Sequence, residues 1–140
     1  MLYQNYKLAP WDSDRWPNFS RHELCCKCNK RFCDEEYWHD PDFLDALQAL
    51  RNKIGQPLVI NSGHRDPLWN ALVGGAPLSM HKTIAVDISL RGHDFHNLKE
   101  QAITLGFRGI GMGNTFLHID RRQVPAFWFY GPKSIEKWRK

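Results

Sequence analysis

Two short segments of the chain combine apolar residues with histidine and aspartate in a strand-like alternation. In the segment FLHID, residues 116–120, a strand carries Leu117 and Ile119 on one face and His118 and Asp120 on the other. In the segment HKTIAVDIS, residues 81–89, a strand through the second half directs Asp87 away from its apolar neighbours. Two strands that each bury an apolar face in this way show histidine and carboxylate side chains on the other face.

The polar side chains of these segments could hold a metal ion. Neutral imidazole nitrogens and a carboxylate oxygen suit zinc, and three protein ligands plus one water make a catalytic rather than a structural site. We therefore predict His81, Asp87 and His118 as the ligands of one catalytic zinc ion. The alternative is that these side chains are ordinary surface or hydrogen-bonded residues, because histidine and aspartate are common on strands that bind no metal.

The composition is that of a folded chain without a strong bias. Of the 140 residues 42% are hydrophobic and 13% are aromatic, which excludes a disordered chain and allows a single domain over residues 1–140. The net charge of +4 suits an anionic partner, whether nucleic acid, anionic lipid or a cell-wall polymer, and does not choose among them.

The sequence also bears on where the protein is made. Its start lacks the apolar core of a signal peptide, and no stretch approaches the length of a membrane span. We therefore expect synthesis in the cytoplasm, with delivery by another agent if the protein acts outside the cell.

Local signals predict the helices. Ser20 and Glu23 resemble a capping box that opens a short helical turn. The segment Asp40–Gly55 has an N-cap aspartate, a proline at the first helical position, an apolar stripe and a terminal glycine. The other predictions are helices over residues 68–73 and 95–105, an irregular arm over residues 1–20, and a solvated basic helix over residues 131–140.

A buried strand is predicted over residues 57–61, followed by a loop that contains Arg65. An arginine directly after a core strand is well placed to reach a cleft, where its planar fork can bind a carboxylate or a polarised carbonyl. An Arg–Asp pair that only fixes the loop is the alternative. The glycines at 109, 111 and 113 permit close packing beside the site, and the aromatic residues 127–130 form either a last strand along the cleft or part of the core.

The cysteines form a separate group near the N-terminus, at Cys25, Cys26, Cys28 and Cys33. Four close thiols could bind a structural zinc ion, but the C-C-x-C-x4-C spacing is not the usual pair of CxxC knuckles. A cytoplasmic chain implies no disulfide framework. The spacing therefore favours a partly buried thiol cluster on a loop over a second zinc ion.

Several motifs follow one another along the chain. They are Ser62-Gly63-His64-Arg65-Asp66-Pro67, Asn70, Gly74-Gly75-Ala76-Pro77, Ser79-x-His81, Ala85-x-Asp87, Gly109-Ile110-Gly111 and His118-Ile119-Asp120. In this order they resemble the zinc D-Ala-D-Ala carboxypeptidases of peptidase family M15, and most of all the small phage and prophage-type members. The resemblance covers roughly residues 19–130. It implies an α+β fold, a small antiparallel sheet with flanking helices that is shared with lysostaphin-type peptidases and the hedgehog signalling domain.

The resemblance also implies roles for individual residues. His81, Asp87 and His118 match the zinc ligands of the family, and Arg65 matches the arginine that binds substrate and steadies the developing oxyanion. The implied reaction is hydrolysis of a peptide bond in peptidoglycan by a D,D-carboxypeptidase or endopeptidase. We expect a monomer that acts on the cell wall after lysis or after delivery by a phage-like particle, with no nucleic-acid partner.

The chain departs from the family pattern at three places. The step between the first two ligands is one residue shorter than usual, which tightens the loop. His64 replaces the usual tyrosine and either contributes to substrate binding or only fills the space of the tyrosine. Ser79 and Asn70 match positions that shape the loop, and Ser79 is also predicted to contribute to substrate binding. The positions three and two residues before His118, where many members carry the base, hold threonine and phenylalanine. Asp120 is therefore the candidate base, or else a residue that orients a ligand histidine.

Two other functions remain open from the sequence. A zinc-binding module of the same fold could bind cell wall or a protein without cleaving it, because the loop is shortened and the usual base is absent. A basic nucleic-acid binder could use the cysteines as a finger, but the chain lacks a spacing such as CxxC…HxxxH that would support a recognition helix.

Overall fold

The N-terminal part of the chain is folded onto the core in the computed structural model, which describes all 140 residues. Strands β1 (Leu2–Tyr3) and β2 (Tyr37–Trp38) form a two-stranded antiparallel sheet. Between them lie a 3-10 turn and helix α1 (Arg21–Leu24), and this part of the chain buries Trp16 and Phe19 in the core. The arm over residues 1–20, predicted to be irregular, therefore contains a short strand. Local sequence does not reveal this strand, because its pairing partner β2 lies far along the chain.

The helix ends form where the local signals predict them. Ser20 and Glu23 make the reciprocal hydrogen bonds of a capping box at α1. Helix α2 (Pro41–Ile54) begins after Asp40, whose side chain accepts a hydrogen bond from the main chain of Phe43, and ends at Gly55, where φ is +76°. Its leucines at 44, 47 and 50 are fully buried, and each such side chain contributes roughly 1.5–3 kcal/mol through removal from water.

Three further helices follow: α3 (Pro67–Leu72), α4 (Phe95–Thr104) and α5 (Pro132–Trp138). Helix α5 lies in the tail that the sequence predicts to be a solvated helix, yet its last residue is anchored. The Trp138 ring is buried and its Nε1 donates to the main-chain oxygen of Gly113 at 2.8 Å. None of the helices combines the length and the apolar character needed to cross a membrane.

The main sheet has five strands: β3 (Ile60–Ser62), β4 (Val86–Ser89), β5 (Gly109–Met112), β6 (Phe116–Asp120) and β7 (Ala126–Phe129). Their order is β3-β4-β6-β5-β7, and all neighbours are antiparallel except β5 and β7. Strands β5 and β7 are parallel because both are antiparallel to β6: the chain reverses direction after β6, crosses to the free edge of β5 and pairs there as β7. The predicted α+β fold with a small, largely antiparallel sheet is confirmed.

The pairing of β4 with β6 positions the polar side chains of interest. Asp87 lies directly opposite His118 in the register of this pair. The alternate residues of the two strands, Val86, Ile88, Leu117 and Ile119, are buried in a core that also contains side chains of α2 and α4. Strand β3 begins later than predicted, at Ile60, and its register with β4 is irregular between Ile60 and Ser62.

Candidate metal centre

The three predicted zinc ligands meet at one point. Asp87 Oδ1, His81 Nε2 and His118 Nδ1 are each 3.1 Å from the other two atoms. A tetrahedral zinc ion with bonds of about 2.0–2.1 Å separates its ligand atoms by roughly 3.3 Å, so this spacing fits one ion. The two imidazoles are buried and the carboxylate nearly so, although all three side chains line the cleft described below.

Different elements supply the three side chains. Asp87 and His118 come from the adjacent strands β4 and β6, whereas His81 lies in a 3-10 turn, Met80–Lys82, just before β4. Ser79 caps this turn, since its Oγ accepts a hydrogen bond from the main-chain nitrogen of His81 at 3.1 Å. The step of six residues from His81 to Asp87 therefore still brings the ligand atoms together.

The outer hydrogen bonds of the two histidines decide which ring nitrogen carries a proton. His81 Nδ1 lies 2.6 Å from the carbonyl oxygen of Gly63, and His118 Nε2 lies 2.7 Å from Asp120 Oδ2. Both oxygens can only accept, so these two ring nitrogens are the donors. In the neutral rings the other nitrogens then present lone pairs towards Asp87, where three acceptors face one another without a proton between them. A divalent cation fits this arrangement.

The same contacts shift the pKa values of Asp87 and His118. Burial alone would raise the pKa of Asp87, but its contacts with His118 and His81 hold that pKa well below its ordinary value. Burial opposes the charged form of His118, yet the hydrogen bonds to Asp120 and Asp87 raise its pKa above the ordinary value. Without a cation the centre therefore favours an added proton on His118.

Asp120, the candidate base, is enclosed rather than open to a substrate. Its carboxylate is fully buried and accepts hydrogen bonds from His118 Nε2 and from Arg122 Nε and Nη2, at 2.7, 2.9 and 2.6 Å. A side chain at Gly109 on the neighbouring strand would overlap this carboxylate. Burial would raise the pKa of Asp120, but Arg122 and His118 hold it well below its usual range. The geometry favours the orienting role that the sequence left open.

A cleft of about 600 Å³ opens over the centre. It is lined by most of the segment 73–81, by the aromatic side chains of Phe116, Trp128 and Tyr130, and by Arg65 and Arg122. The aromatic run thus contributes alternate residues to the cleft, since Phe127 and Phe129 are exposed on the other side of β7. Arg122 carries no site prediction from the sequence. Its only signal is its position two residues after Asp120, where its side chain can turn back onto the carboxylate.

All three nitrogens of the Arg65 guanidinium group have polar partners, which fix this side chain at the edge of the centre. Nε donates to Ser62 Oγ at 3.1 Å, Nη1 to Asn70 Oδ1 at 3.3 Å, and Nη2 lies 3.4 Å from Asp87 Oδ2. Asn70 is itself buried and donates to the carbonyl of Ala76. This network places a fixed positive charge beside the predicted metal position.

His64 lies outside the cleft, contrary to its predicted part in substrate binding. Its ring is buried on the other side of the loop, where Nδ1 bonds the carbonyl oxygen of Thr83 and Nε2 lies 3.7 Å from Glu36 Oε2. Neighbouring residues in an extended segment point in opposite directions, so Arg65 reaches the cleft and His64 does not. Ser79 does line the cleft, with its hydroxyl engaged in the turn that carries His81.

Comparison with known families identifies the type of protein. A family model described as Peptidase M15 matches residues 17–120, which is most of the chain. The chain belongs to the M15 peptidase family. No curated protein sequence matches it significantly. The match includes the three converging side chains and Arg65, and it ends before the cleft residues Trp128 and Tyr130. Membership makes the protein a peptidase, and its site contains a group of side chains that could hold the metal such peptidases use.

Proposed function

We propose that this protein is a zinc-dependent peptidase that hydrolyses a peptide bond in the stem peptides or cross-links of peptidoglycan, as a D,D-carboxypeptidase or an endopeptidase. The observation that carries the proposal is the convergence of two imidazole lone pairs and one carboxylate oxygen, 3.1 Å apart, at the floor of a cleft. Membership in the M15 family supports the reaction class.

The side chains around the cleft have separate parts in this proposal. His81, Asp87 and His118 hold the zinc ion, which when bound lowers the pKa of its water and polarises the scissile carbonyl. Arg65 balances the negative charge that develops on the carbonyl oxygen, because its guanidinium group is fixed beside Asp87. Asp120 keeps the His118 ring in the orientation and tautomer that direct Nδ1 at the ion.

The substrate proposal depends on charge and on the family resemblance. Arg65 lines the cleft beside the predicted metal position, and its guanidinium group suits a peptide with free carboxylates such as a peptidoglycan stem. The net charge of +4 favours approach to an anionic cell-wall polymer. We further propose that the protein acts as a monomer on the cell wall after lysis or after delivery by a phage-like particle.

An assay on purified muropeptides tests the proposal. The zinc-loaded protein should release products that mass spectrometry detects, D-alanine for a carboxypeptidase or separated stems for an endopeptidase. His118→Ala is the matched variant, because it removes one predicted ligand, and it should give no product. Absence of product from the wild-type protein on monomeric and cross-linked muropeptides would overturn the peptidase proposal.

One observation supports a second candidate, a zinc-binding module that binds cell wall or a protein without cleaving it. Apart from the three converging side chains, the ionisable residues lining the cleft are Arg65, Arg122 and Tyr130. Burial raises the pKa of Tyr130 to about 12, so it stays protonated at neutral pH and cannot serve as a base. Binding of the zinc-loaded protein to intact sacculi without release of any peptide would favour this candidate.

A further inference from the structure

Three of the four cysteines converge although their spacing in the sequence is unusual for a metal site. The sulfur atoms of Cys26, Cys28 and Cys33 all lie within 4.8 Å of one another, and those of Cys28 and Cys33 are 3.5 Å apart. Tetrahedral zinc with bonds of about 2.3 Å to sulfur separates its ligands by roughly 3.8 Å. The three thiols therefore lie at a spacing that one ion would need.

The segment that carries these thiols has no regular secondary structure and is joined to the rest of the chain by isolated hydrogen bonds, such as that from the Tyr6 main-chain nitrogen to the Glu35 carbonyl oxygen. No helix or strand forms over residues 25–36, and three residues other than glycine have positive φ there: Asn29, Lys30 and Glu35. Nevertheless Cys26 and Cys28 are almost completely buried. An irregular loop that turns its thiols inward is typical of a structural metal site, because bonds to the ion stabilise a loop that has no helix or strand hydrogen bonds.

We propose that Cys26, Cys28 and Cys33 bind a second metal ion of the thiolate-preferring class, zinc above all, in a structural site separate from the cleft. Three sulfur ligands select a soft or borderline cation over magnesium or calcium. Carboxylates border the site on the Cys33 side, since oxygens of Glu36 and Asp66 are within 4.8 Å of one another and of the Cys33 sulfur. This proposal does not depend on whether the cleft cleaves peptides.

The position of this site explains what it would stabilise. The main-chain nitrogen of Asp66 donates to the Cys26 sulfur at 3.3 Å, so the cysteine loop, residues 25–36, contacts the residue directly after Arg65. The Asp66 side chain in turn caps α3, the helix that carries Asn70, the partner of Arg65. A metal ion in the cysteine loop therefore fixes the segment from which the Arg65 side chain reaches the cleft.

Cys25 is not part of the site and provides a matched control. It is buried and adjacent in sequence, but its sulfur donates to the carbonyl oxygen of His22 at 3.0 Å, away from the other three thiols. A Cys25→Ser change removes one thiol from the same loop and leaves the proposed ligands in place.

The decisive measurement is the number of zinc ions bound by protein purified with its thiols reduced. The wild-type protein should hold about two equivalents, whereas His118→Ala and Cys28→Ser should each hold about one, and Cys25→Ser about two. Cobalt(II) in place of zinc should give sulfur-to-metal charge-transfer absorption in the wild type and in His118→Ala. That absorption should be lost in Cys28→Ser.

The wild-type and His118→Ala measurements decide the matter even if Cys28→Ser fails to fold. A wild-type protein with only one zinc ion, which His118→Ala abolishes, would overturn the proposal. Cobalt-loaded protein without thiolate absorption would also overturn it, as would a Cys28–Cys33 disulfide found by mass spectrometry in freshly purified protein. Since metal content is measured apart from muropeptide cleavage, failure of this proposal is distinct from failure of the peptidase proposal.

Discussion

Replacement of Asp120 by asparagine separates the two roles open to this residue. The Asp120 Oδ2 atom accepts from His118 and from Arg122 Nη2, and Oδ1 accepts from Arg122 Nε and from its main-chain nitrogen. Both oxygens thus face only donors. In Asp120→Asn one carboxylate oxygen becomes an NH₂ group, and in either orientation of the amide this group faces N–H donors of His118 or Arg122. His118 Nε2 also loses its charged acceptor.

The expected magnitude follows from this geometry. Loss of a hydrogen bond that orients a metal ligand typically costs about 10–100-fold in metal affinity, which corresponds to about 1.4–2.7 kcal/mol. The unfavourable donor contacts at a fully buried position should also lower the free energy of unfolding by roughly 1–3 kcal/mol. Because the remaining ligands are unchanged, saturating zinc should restore most of the activity.

Competition with a chelator of known affinity measures the zinc dissociation constant, and muropeptide cleavage at rising zinc concentration measures the rescue. Asp45→Asn is the matched control. Asp45 accepts from Arg15 Nε and Nη2 at 2.7 and 2.6 Å and from the ring nitrogen of Trp16 at 2.9 Å, the same chemistry outside the cleft. It should leave zinc affinity unchanged.

One result would refute the reasoning about Asp120. If Asp120→Asn binds zinc as tightly as the wild type but loses activity by orders of magnitude at saturating zinc, the carboxylate is the catalytic base after all. The enclosure of its side chain would then have to open during the reaction.

Three further predictions address the same centre. Gly109→Ala puts a methyl group where the Asp120 carboxylate lies, so zinc affinity in the chelator assay should fall at least tenfold, and wild-type affinity would contradict the packing argument. Arg65→Lys lacks the planar guanidinium group and should lower kcat/KM on muropeptides about 10²–10³-fold while the zinc content stays intact. The control Arg91→Lys, at an exposed position, should change neither kcat/KM nor the zinc content. Loss of zinc from Arg65→Lys would count against the charge-balancing role. Because the hydrogen bonds to Asp120 and Asp87 raise the pKa of His118 in the zinc-free protein, protons compete with zinc for this ring, and zinc affinity should fall as the pH decreases through that pKa. Calorimetry below that pKa, in buffers of different ionisation enthalpy, should detect proton release on zinc binding, and its absence would contradict the assignment.

Local interactions made part of this structure predictable. Helix α2 begins at Asp40 and ends at Gly55 because a cap and a left-handed residue act within one helical turn. The alternation in residues 116–120 likewise puts His118 and Asp120 on the same side of β6, where they form a hydrogen bond. Such features depend on neighbours in the chain, so residue type and spacing suffice to predict them.

Contacts between distant segments decided the rest. Whether Asp120 is a base or an orienting residue depends on Gly109 of the neighbouring strand and on the way Arg122 folds back. The direction of the His64 side chain, buried away from the cleft, follows from the path of the chain after β3. The approach of three thiols depends on a loop with three left-handed residues that no spacing rule describes.

The candidate metal centre combines both kinds of information. The sequence by itself determined the types of side chain and the strand faces they occupy, because these depend on residue chemistry and on a two-residue period. Only the tertiary structure decided that the atoms come within 3.1 Å of one another, because that distance depends on the register in which β4 and β6 pair, Asp87 against His118. A shift of one residue in that register would turn one ligand into the core and leave no centre.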